Sequence, residues 1–243
     1  MTYTVYVVGI GPGGLDGMTI EARDVLAACD CIIGYTTYIN LLKPVFTPKE
    51  WLSTGMKKEV DRCRLAVAEA RKGKTVAMVS SGDAGMYGMA GIMYEVADAY
   101  DDVEIKVIAG VTAAASGAAR LGAPIVADCC LISLSDLLTP WEKIETRLAC
   151  AAAGDFVICL YNPASKQRTD YTKKAAQIIM RHQDAAIPVG IVRNIGRDGE
   201  TTELTTLGEL GQKSLDMFTT VIIGNSQTKV LHGYMVTPRG YTL

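Results

Sequence analysis

The chain has 243 residues, 49% of them hydrophobic and 21% charged, with a formal net charge of −2. That length suits one large domain or two modest ones, and the composition is that of an ordinary globular core. The near-neutral balance argues against a nucleic-acid binder, which carries a basic excess, and no apolar run reaches the roughly 18 residues of a membrane span.

Neither the termini nor the reactive side chains suggest export or a metal. The first ten residues have no basic region ahead of an apolar one and already read as a strand, so no secretory leader is expected. The seven cysteines (29, 31, 63, 129, 130, 150 and 159) include no C-x-x-C pair and sit mostly in apolar segments. They read as reduced, inert thiols of a cytoplasmic protein. His182 and His232, the only histidines, are fifty residues apart, so neither a histidine metal site nor a Ser-His-Asp triad is expected.

In chain order, residues 5–10 form a β-branched run that ends in glycines. Residues 18–28 follow with helical spacing, capped by Asp16 or Thr19. Residues 30–34 (DCIIG) read as a strand, 58–72 as an amphipathic helix stopped by Gly73, and 75–80 (TVAMVS) as a strand. Residues 88–100 look helical and 103–108 (VEIKVI) extended, and AGVTAAASGAARLG is a turn leading into a helix. Beyond it come a strand at 128–133, a loop and helix over 136–153, a strand at 156–161 and a helix at 169–182. A strand at 189–194, a strand pair around 203–207 and a strand at 219–224 complete the series. The alternation predicts an α/β fold with mostly parallel sheets, in two lobes.

Gly9, Gly11 and Gly14 spell G-x-G-x-x-G after the first strand. A dinucleotide site also needs a helix opening at the last glycine and an acid ending the second strand. Here that strand ends Gly34-Tyr35-Thr36-Thr37, Pro12 removes an N–H from the loop, and the helix starts only after Gly17. The loop is therefore a plain strand-to-helix turn or a floor on which a flat substrate lies close to backbone. A second glycine cluster, residues 80–88 (SSGDAGMYG), again follows a strand, and Asp83 is its only charge. Asp83 can cap the next helix, oppose a cationic ligand or accept hydroxyl protons.

GIGPGG, SGDAGMYG and AGVTAAASG together resemble the tetrapyrrole methyltransferases. ISLSDLLTPWE (132–142), LYNPASKQR (160–168), IVRNIGRDGE (191–200) and TTVIIGNSQT (219–228) are similar to the precorrin-3B / cobalt-factor III C17-methyltransferases of cobalamin biosynthesis. The resemblance runs essentially end to end. It implies the two-lobed tetrapyrrole methylase (class III SAM-methyltransferase) fold, with lobes 1–115 and 116–243, S-adenosyl-L-methionine (SAM) in the cleft between them, and a cytoplasmic homodimer. It also implies methylation at C17 with contraction of the macrocycle, S-adenosyl-L-homocysteine as product, and no partner beyond the tetrapyrrole.

Carried residue by residue, the likeness assigns cofactor contacts to Pro12, Ser81, Gly82, Asp83, Met86, Thr112, Ala113, Tyr161, Asn162, Gly190, Arg193 and Asn194. Relatives usually have proline after the loop aspartate, where this chain has Ala84. Gly11, Gly13, Tyr35, Lys166 and Arg168 are the expected tetrapyrrole contacts, the cations answering its acetate and propionate arms. Ring contraction needs proton movement, for which Ser135 and Asp136 are the candidates, beside Ser133 and Thr139. The same side chains could simply cap a helix starting near Pro140-Trp141. Lys173 and Lys174 read as a solvated face, and Trp141 as core or as a surface on which the macrocycle stacks. The chain lacks the cysteine-rich extension of the iron–sulfur-bearing relatives, so no cluster is expected. Another precorrin methyltransferase and a non-catalytic corrinoid-binding protein are the alternative readings.

Overall fold

The computed structural model describes residues 2–165 and 168–242, which divide into two compact units, Met1–Ala113 and Ala114–Leu243.

Unit 1 alternates strand and helix: β1 (Tyr3–Gly9), α1 (Ile20–Ala28), β2 (Cys31–Tyr35), α2 (Thr36–Leu42), β3 (Glu50–Thr54), α3 (Glu59–Ala70), β4 (Val76–Ser80), α4 (Ala90–Ala97) and β5 (Val103–Ile108). The strands pair in the order β3-β2-β4-β1-β5, every pair parallel. Parallel neighbours require crossovers, and the helices supply them on both faces. Period-two alternation sorts the side chains accordingly. Val5, Val7, Ile33 and Met78 pack under α3 and α4, while Val8, Ile10, Ile32 and Val79 pack under α1 and α2.

All five strands of unit 1 end at one rim, as a parallel sheet must. Thr19, rather than Asp16, caps α1: its Oγ1 accepts from Ala22 N (3.2 Å) and donates to the Ala109 carbonyl (3.1 Å). The sequence reading did not anticipate α2 and β3. The first is short and has no side-chain cap, and the second is a half-buried edge strand defined by its pairing with β2.

Unit 2 contains α5 (Ala113–Leu121, its first residue closing unit 1), β6 (Gly122–Ala123), β7 (Cys129–Ser133), α6 (Trp141–Ala153), β8 (Val157–Tyr161), α7 (Tyr171–Ile179), β9 (Pro188–Arg193), β10 (Thr201–Thr206), α8 (Leu207–Leu210), β11 (Thr219–Ile223), β12 (Lys229–Leu231) and β13 (Tyr234–Val236). Its main sheet has the order β10-β9-β11-β8-β7. The parallel pairing expected throughout holds across unit 1, but here only β7–β8 is parallel and the other three pairs run antiparallel. The loop joining β9 to β10, residues 194–200, is too short for a crossover helix and makes a hairpin instead. The pair expected around 203–207 is a single strand that turns into α8.

α6, α7 and α8 cover one face over Ile144, Leu148, Ile158, Leu160, Ile179, Val189 and Val221. α5 lies against the other face: a side chain at Gly190 would stand 2.3 Å from Leu121 Cδ1. β7, β8 and β9 point the same way, so Ser133, Tyr161 and Arg193 finish at one rim, where β10 and β11 begin. Among the described residues no helix is long and apolar enough to cross a membrane.

Candidate active site

In unit 1 the loops after β1, β4 and β5 lock together through glycine backbone. Gly11 N donates to the Gly82 carbonyl (3.0 Å), and Gly82 N donates back to the Gly11 carbonyl (2.7 Å). A Cβ on Gly110 would stand 2.1 Å from Gly82 O, and one on Gly9 would stand 2.7 Å from Gly110 N, contacts that no side chain tolerates. Gly11 (φ 73°) and Gly82 (φ 67°) also hold left-handed backbone.

Asp83 organises this junction. Its Oδ1 accepts from Gly85 N (2.8 Å) and Met86 N (3.1 Å), and its Oδ2 accepts from Gly110 N (2.9 Å). The carboxylate thus folds its own loop and ties it to the loop after β5. It does not cap α4, whose N-cap residue Met89 donates its own N–H to Ser80 Oγ (3.2 Å). Pro12, Gly13, Ser81, Thr112 and Ala113 lie in the same three loops, with Leu15, Met86, Tyr87 and Val111 exposed beside them. Tyr87 holds a left-handed φ of 55°, a conformation that costs a non-glycine residue. Tyr35 ends β2 at this rim, its ring edge-on to Tyr38 at 5.3 Å between centroids.

The segments 9–17, 80–88 and 109–113 contain Asp16 and Asp83 and no lysine or arginine. A pyrophosphate would find no cation there, whereas a flat, positively charged ligand meets glycine backbone and a braced carboxylate. The residues fit SAM: backbone carbonyls and a carboxylate, with no lysine or arginine in these loops, suit a sulfonium.

In unit 2 the rim is a polar net. Asn162, left-handed at φ 51°, donates from Nδ2 to Ser133 Oγ (3.0 Å), which also accepts from Ser135 N (3.2 Å). Tyr161 Oη accepts from Ala114 N (2.9 Å). Arg168 donates to the Leu134 carbonyl (2.9 Å) and lies 3.9 Å from Asp136, whose Oδ2 accepts from Tyr171 Oη at 2.5 Å. Tyr171 stacks at a tilt on Trp141, with 4.6 Å between centroids, and Lys174 sits over both rings. That hydrogen bond to Asp136 raises the Tyr171 hydroxyl above its ordinary value. Arg193 is committed to the loop before β11, donating to Ser214 O (2.8 Å) and lying 3.5 Å from Asp216. Asn194 follows it in left-handed backbone, its N–H on the Phe218 carbonyl (3.1 Å).

The expected site residues therefore gather at two strand-end rims. Ser135, Asp136, Tyr161, Asn162, Arg168, Arg193 and Asn194 share that of unit 2, while Gly190 lies mid-strand under Leu121. Lys166 lies outside the described residues. The capping role weighed for Ser133, Ser135, Asp136 and Thr139 is not made, since the cap position of α6 is Pro140, with no side-chain bond. Sequence reasoning missed Tyr171, whose partner is 35 residues away, and Arg62, a buried cation. Arg62 carries a local signal: with Ala66 and Glu69 it lies on the buried stripe of α3.

Burial pushes the Cys29 and Cys159 thiols up to about 12 and those of Cys31 and Cys63 to about 11, so these stay protonated. Cys129 and Cys150 are exposed. Among the described residues no cluster of histidine, cysteine or carboxylate side chains could hold a metal.

These features define an α/β protein whose strand ends present glycine backbone and a braced carboxylate. The profile of the Tetrapyrrole (Corrin/Porphyrin) Methylases matches residues 4–211. The chain is 47% identical over 238 residues to the "Probable cobalt-factor III C(17)-methyltransferase" of Salmonella typhimurium, covering 98% of this chain and 99% of that one. It is 45% identical to the "Cobalt-factor III methyltransferase" of Priestia megaterium, over 97% of this chain but 44% of that longer protein. The crystal structure of the methyltransferase CobJ superposes with a TM-score of 0.91 at 32% identity, covering 98% of this chain and all of that one. The chain belongs to the tetrapyrrole methylase family.

Proposed function

We propose that the chain is a SAM-dependent C-methyltransferase acting at C17 of cobalt-factor III, with precorrin-3B as the metal-free alternative, and contracting the macrocycle in cobalamin biosynthesis. The observation that carries the reading is the loop junction of unit 1: three glycine-closed strand ends, one carboxylate braced by three backbone N–H groups, and no cation. The names of the relatives at 47% and 45% identity supply the acceptor and favour the cobalt-containing form.

When bound, SAM supplies a methyl group on a sulfonium, which leaves in an in-line displacement as S-adenosyl-L-homocysteine. The chain's task is to hold and orient. Gly9, Gly11, Gly82 and Gly110 keep the floor flat, Asp83 fixes the shape of the loop bearing Ser81 and Met86, and Thr112 and Ala113 border it. Arg168 supplies a charge for a carboxylate arm of the acceptor. A cytoplasmic homodimer completes the proposal, and light scattering giving twice the chain mass tests the dimer.

Anaerobic incubation with SAM and cobalt-factor III, in parallel with precorrin-3B, followed by mass spectrometry, tests the function. A gain of one methyl group on cobalt-factor III is expected. SAM binding without methylation of either tetrapyrrole refutes the acceptor, and no SAM binding refutes the reading of the glycine junction.

A further inference from the structure

Methylation of a neutral carbon by a sulfonium leaves one proton to dispose of. The new C–C bond forms with the acceptor's electron pair, the S–C pair stays on sulfur, and the acceptor holds the positive charge until it releases a proton. The reaction proposed above therefore needs a base beside the acceptor, and the identity of that base rests on the same functional reading. Neither histidine serves: His182 follows α7 on the side where β9 begins, and His232 turns the hairpin between β12 and β13.

The carboxylates near the strand ends separate by what they already hold. Both oxygens of Asp83 are taken by backbone N–H groups. Glu200 accepts from Gly196 N and pairs with Arg120, and Asp216 accepts from Phe218 N and Thr219 Oγ1. Asp16 and Asp198 are exposed and, among the described residues, carry no such bond to align them. Asp136 differs from both groups. Among the described residues its Oδ2 accepts a single O–H, from Tyr171 at 2.5 Å, its side chain is 36% exposed, and its Oδ1 has only Arg168 Nε, 3.9 Å away.

Tyr171 is itself fixed. Trp141 of α6 stacks on it, with Lys174 5.1 Å and Arg168 5.9 Å from its ring centroid. Asp170, the remaining charge beside it among the described residues, is bound by Lys174 at 2.8 Å. A tyrosine so wedged holds Oη in one place, and one carboxylate oxygen with it, leaving the other without a hydrogen bond among the described residues.

We infer that Asp136 is the base that takes the acceptor's proton during methyl transfer and that Tyr171 is the residue that positions it. The proton moves from the methylated acceptor to Oδ1 of Asp136, and Tyr171 keeps its own.

The test is steady-state methyl transfer by the full chain with saturating SAM and cobalt-factor III, alongside SAM affinity by calorimetry. Asp136→Ala should lose about 100-fold or more in kcat, the usual contribution of a general base, with SAM affinity unchanged. Added formate should restore part of the rate to Asp136→Ala or Asp136→Gly, which a merely structural role would not permit. Tyr171→Phe should lose about tenfold in kcat, with little change in KM and no response to formate, as expected for one hydrogen bond to a charged group. Wild-type protein that methylates neither tetrapyrrole removes the functional reading and this one together. Active wild type with Asp136→Ala within about threefold of its rate overturns this inference alone. So does a loss that formate relieves in neither the alanine nor the glycine variant.

Discussion

Asp83 and Gly110 are 27 residues apart in sequence and joined by one hydrogen bond, Gly110 N to Asp83 Oδ2 at 2.9 Å. The same carboxylate takes Gly85 N and Met86 N on its other oxygen, so one side chain sets the distance between the loops after β4 and β5. Asp83→Asn keeps the shape but turns an N–H donor towards at least one backbone donor. We expect a stability loss on the order of 1–3 kcal/mol, the cost of leaving a backbone N–H unmet, together with weaker SAM binding. Urea unfolding and calorimetry on one preparation check it. Weaker binding at unchanged stability would instead mean that Asp83 meets the ligand directly.

Two glycines at this end of unit 1 should answer oppositely to the same substitution. Gly110→Ala places a methyl 2.1 Å from Gly82 O and 2.7 Å from the Gly9 carbonyl carbon, backbone that cannot step aside. It should cost on the order of 3 kcal/mol or more and abolish SAM binding. Gly91, on the exposed side of α4, has nothing within 4 Å of its would-be Cβ. Gly91→Ala should stabilise by about 0.5–1 kcal/mol through helix propensity and a less flexible unfolded chain. Thermal unfolding of the pair separates closeness of packing from glycine content.

How much was legible beforehand depends on the range over which each feature is encoded. The β1 and β4 turns announce themselves because a chain folded tightly enough to exclude a Cβ must spell glycine, and the 3.6-residue spacing of α3 lies within one segment. Thr19 as cap was one of two local choices. β3 carries no such signal, since an edge strand is defined by the neighbour it pairs with. Tyr171 and Asp136 illustrate the same limit in the site: the loop after β7 and the start of α7 meet only in the folded sheet. Gly190 shows the converse, a glycine at a position expected to bind ligand whose vacant side is filled by Leu121.

At the opposite end of unit 1, acid should loosen an ionic cluster. Glu69 accepts from Lys72 and Lys74, both at 2.6 Å, and these bonds hold its carboxyl below the ordinary glutamate range; Glu50 also pairs with Lys74. A carboxylate whose folded value is depressed binds protons more readily when unfolded. Its contribution is therefore complete above the unfolded value of about 4.3 and is lost as pH falls through the lower folded value. Unfolding midpoints in urea should hold from pH 7 to 5 and drop below about 4.3. Glu69→Gln should flatten that drop while lowering the midpoint at pH 7.

Arg62 offers the sharpest test of how the rim of unit 1 is supported. Its guanidinium, in a residue only 3% exposed, donates to Thr54 Oγ1 (2.8 Å), to the Gly55 carbonyl (3.0 Å) and to Met89 Sδ (3.6 Å). No carboxylate lies within ion-pair distance among the described residues, so the charge is stabilised by dipoles that only this fork reaches together. It joins the end of β3 to the start of α4, behind the Asp83 loop. Arg62→Lys keeps the charge but, with one nitrogen, cannot serve partners on two elements. It should therefore destabilise by an amount comparable to Arg62→Met, about 2–3 kcal/mol. If the lysine variant matches wild type in urea unfolding, charge rather than the fork is what the site requires, and the bracing of β3 against α4 is not its purpose.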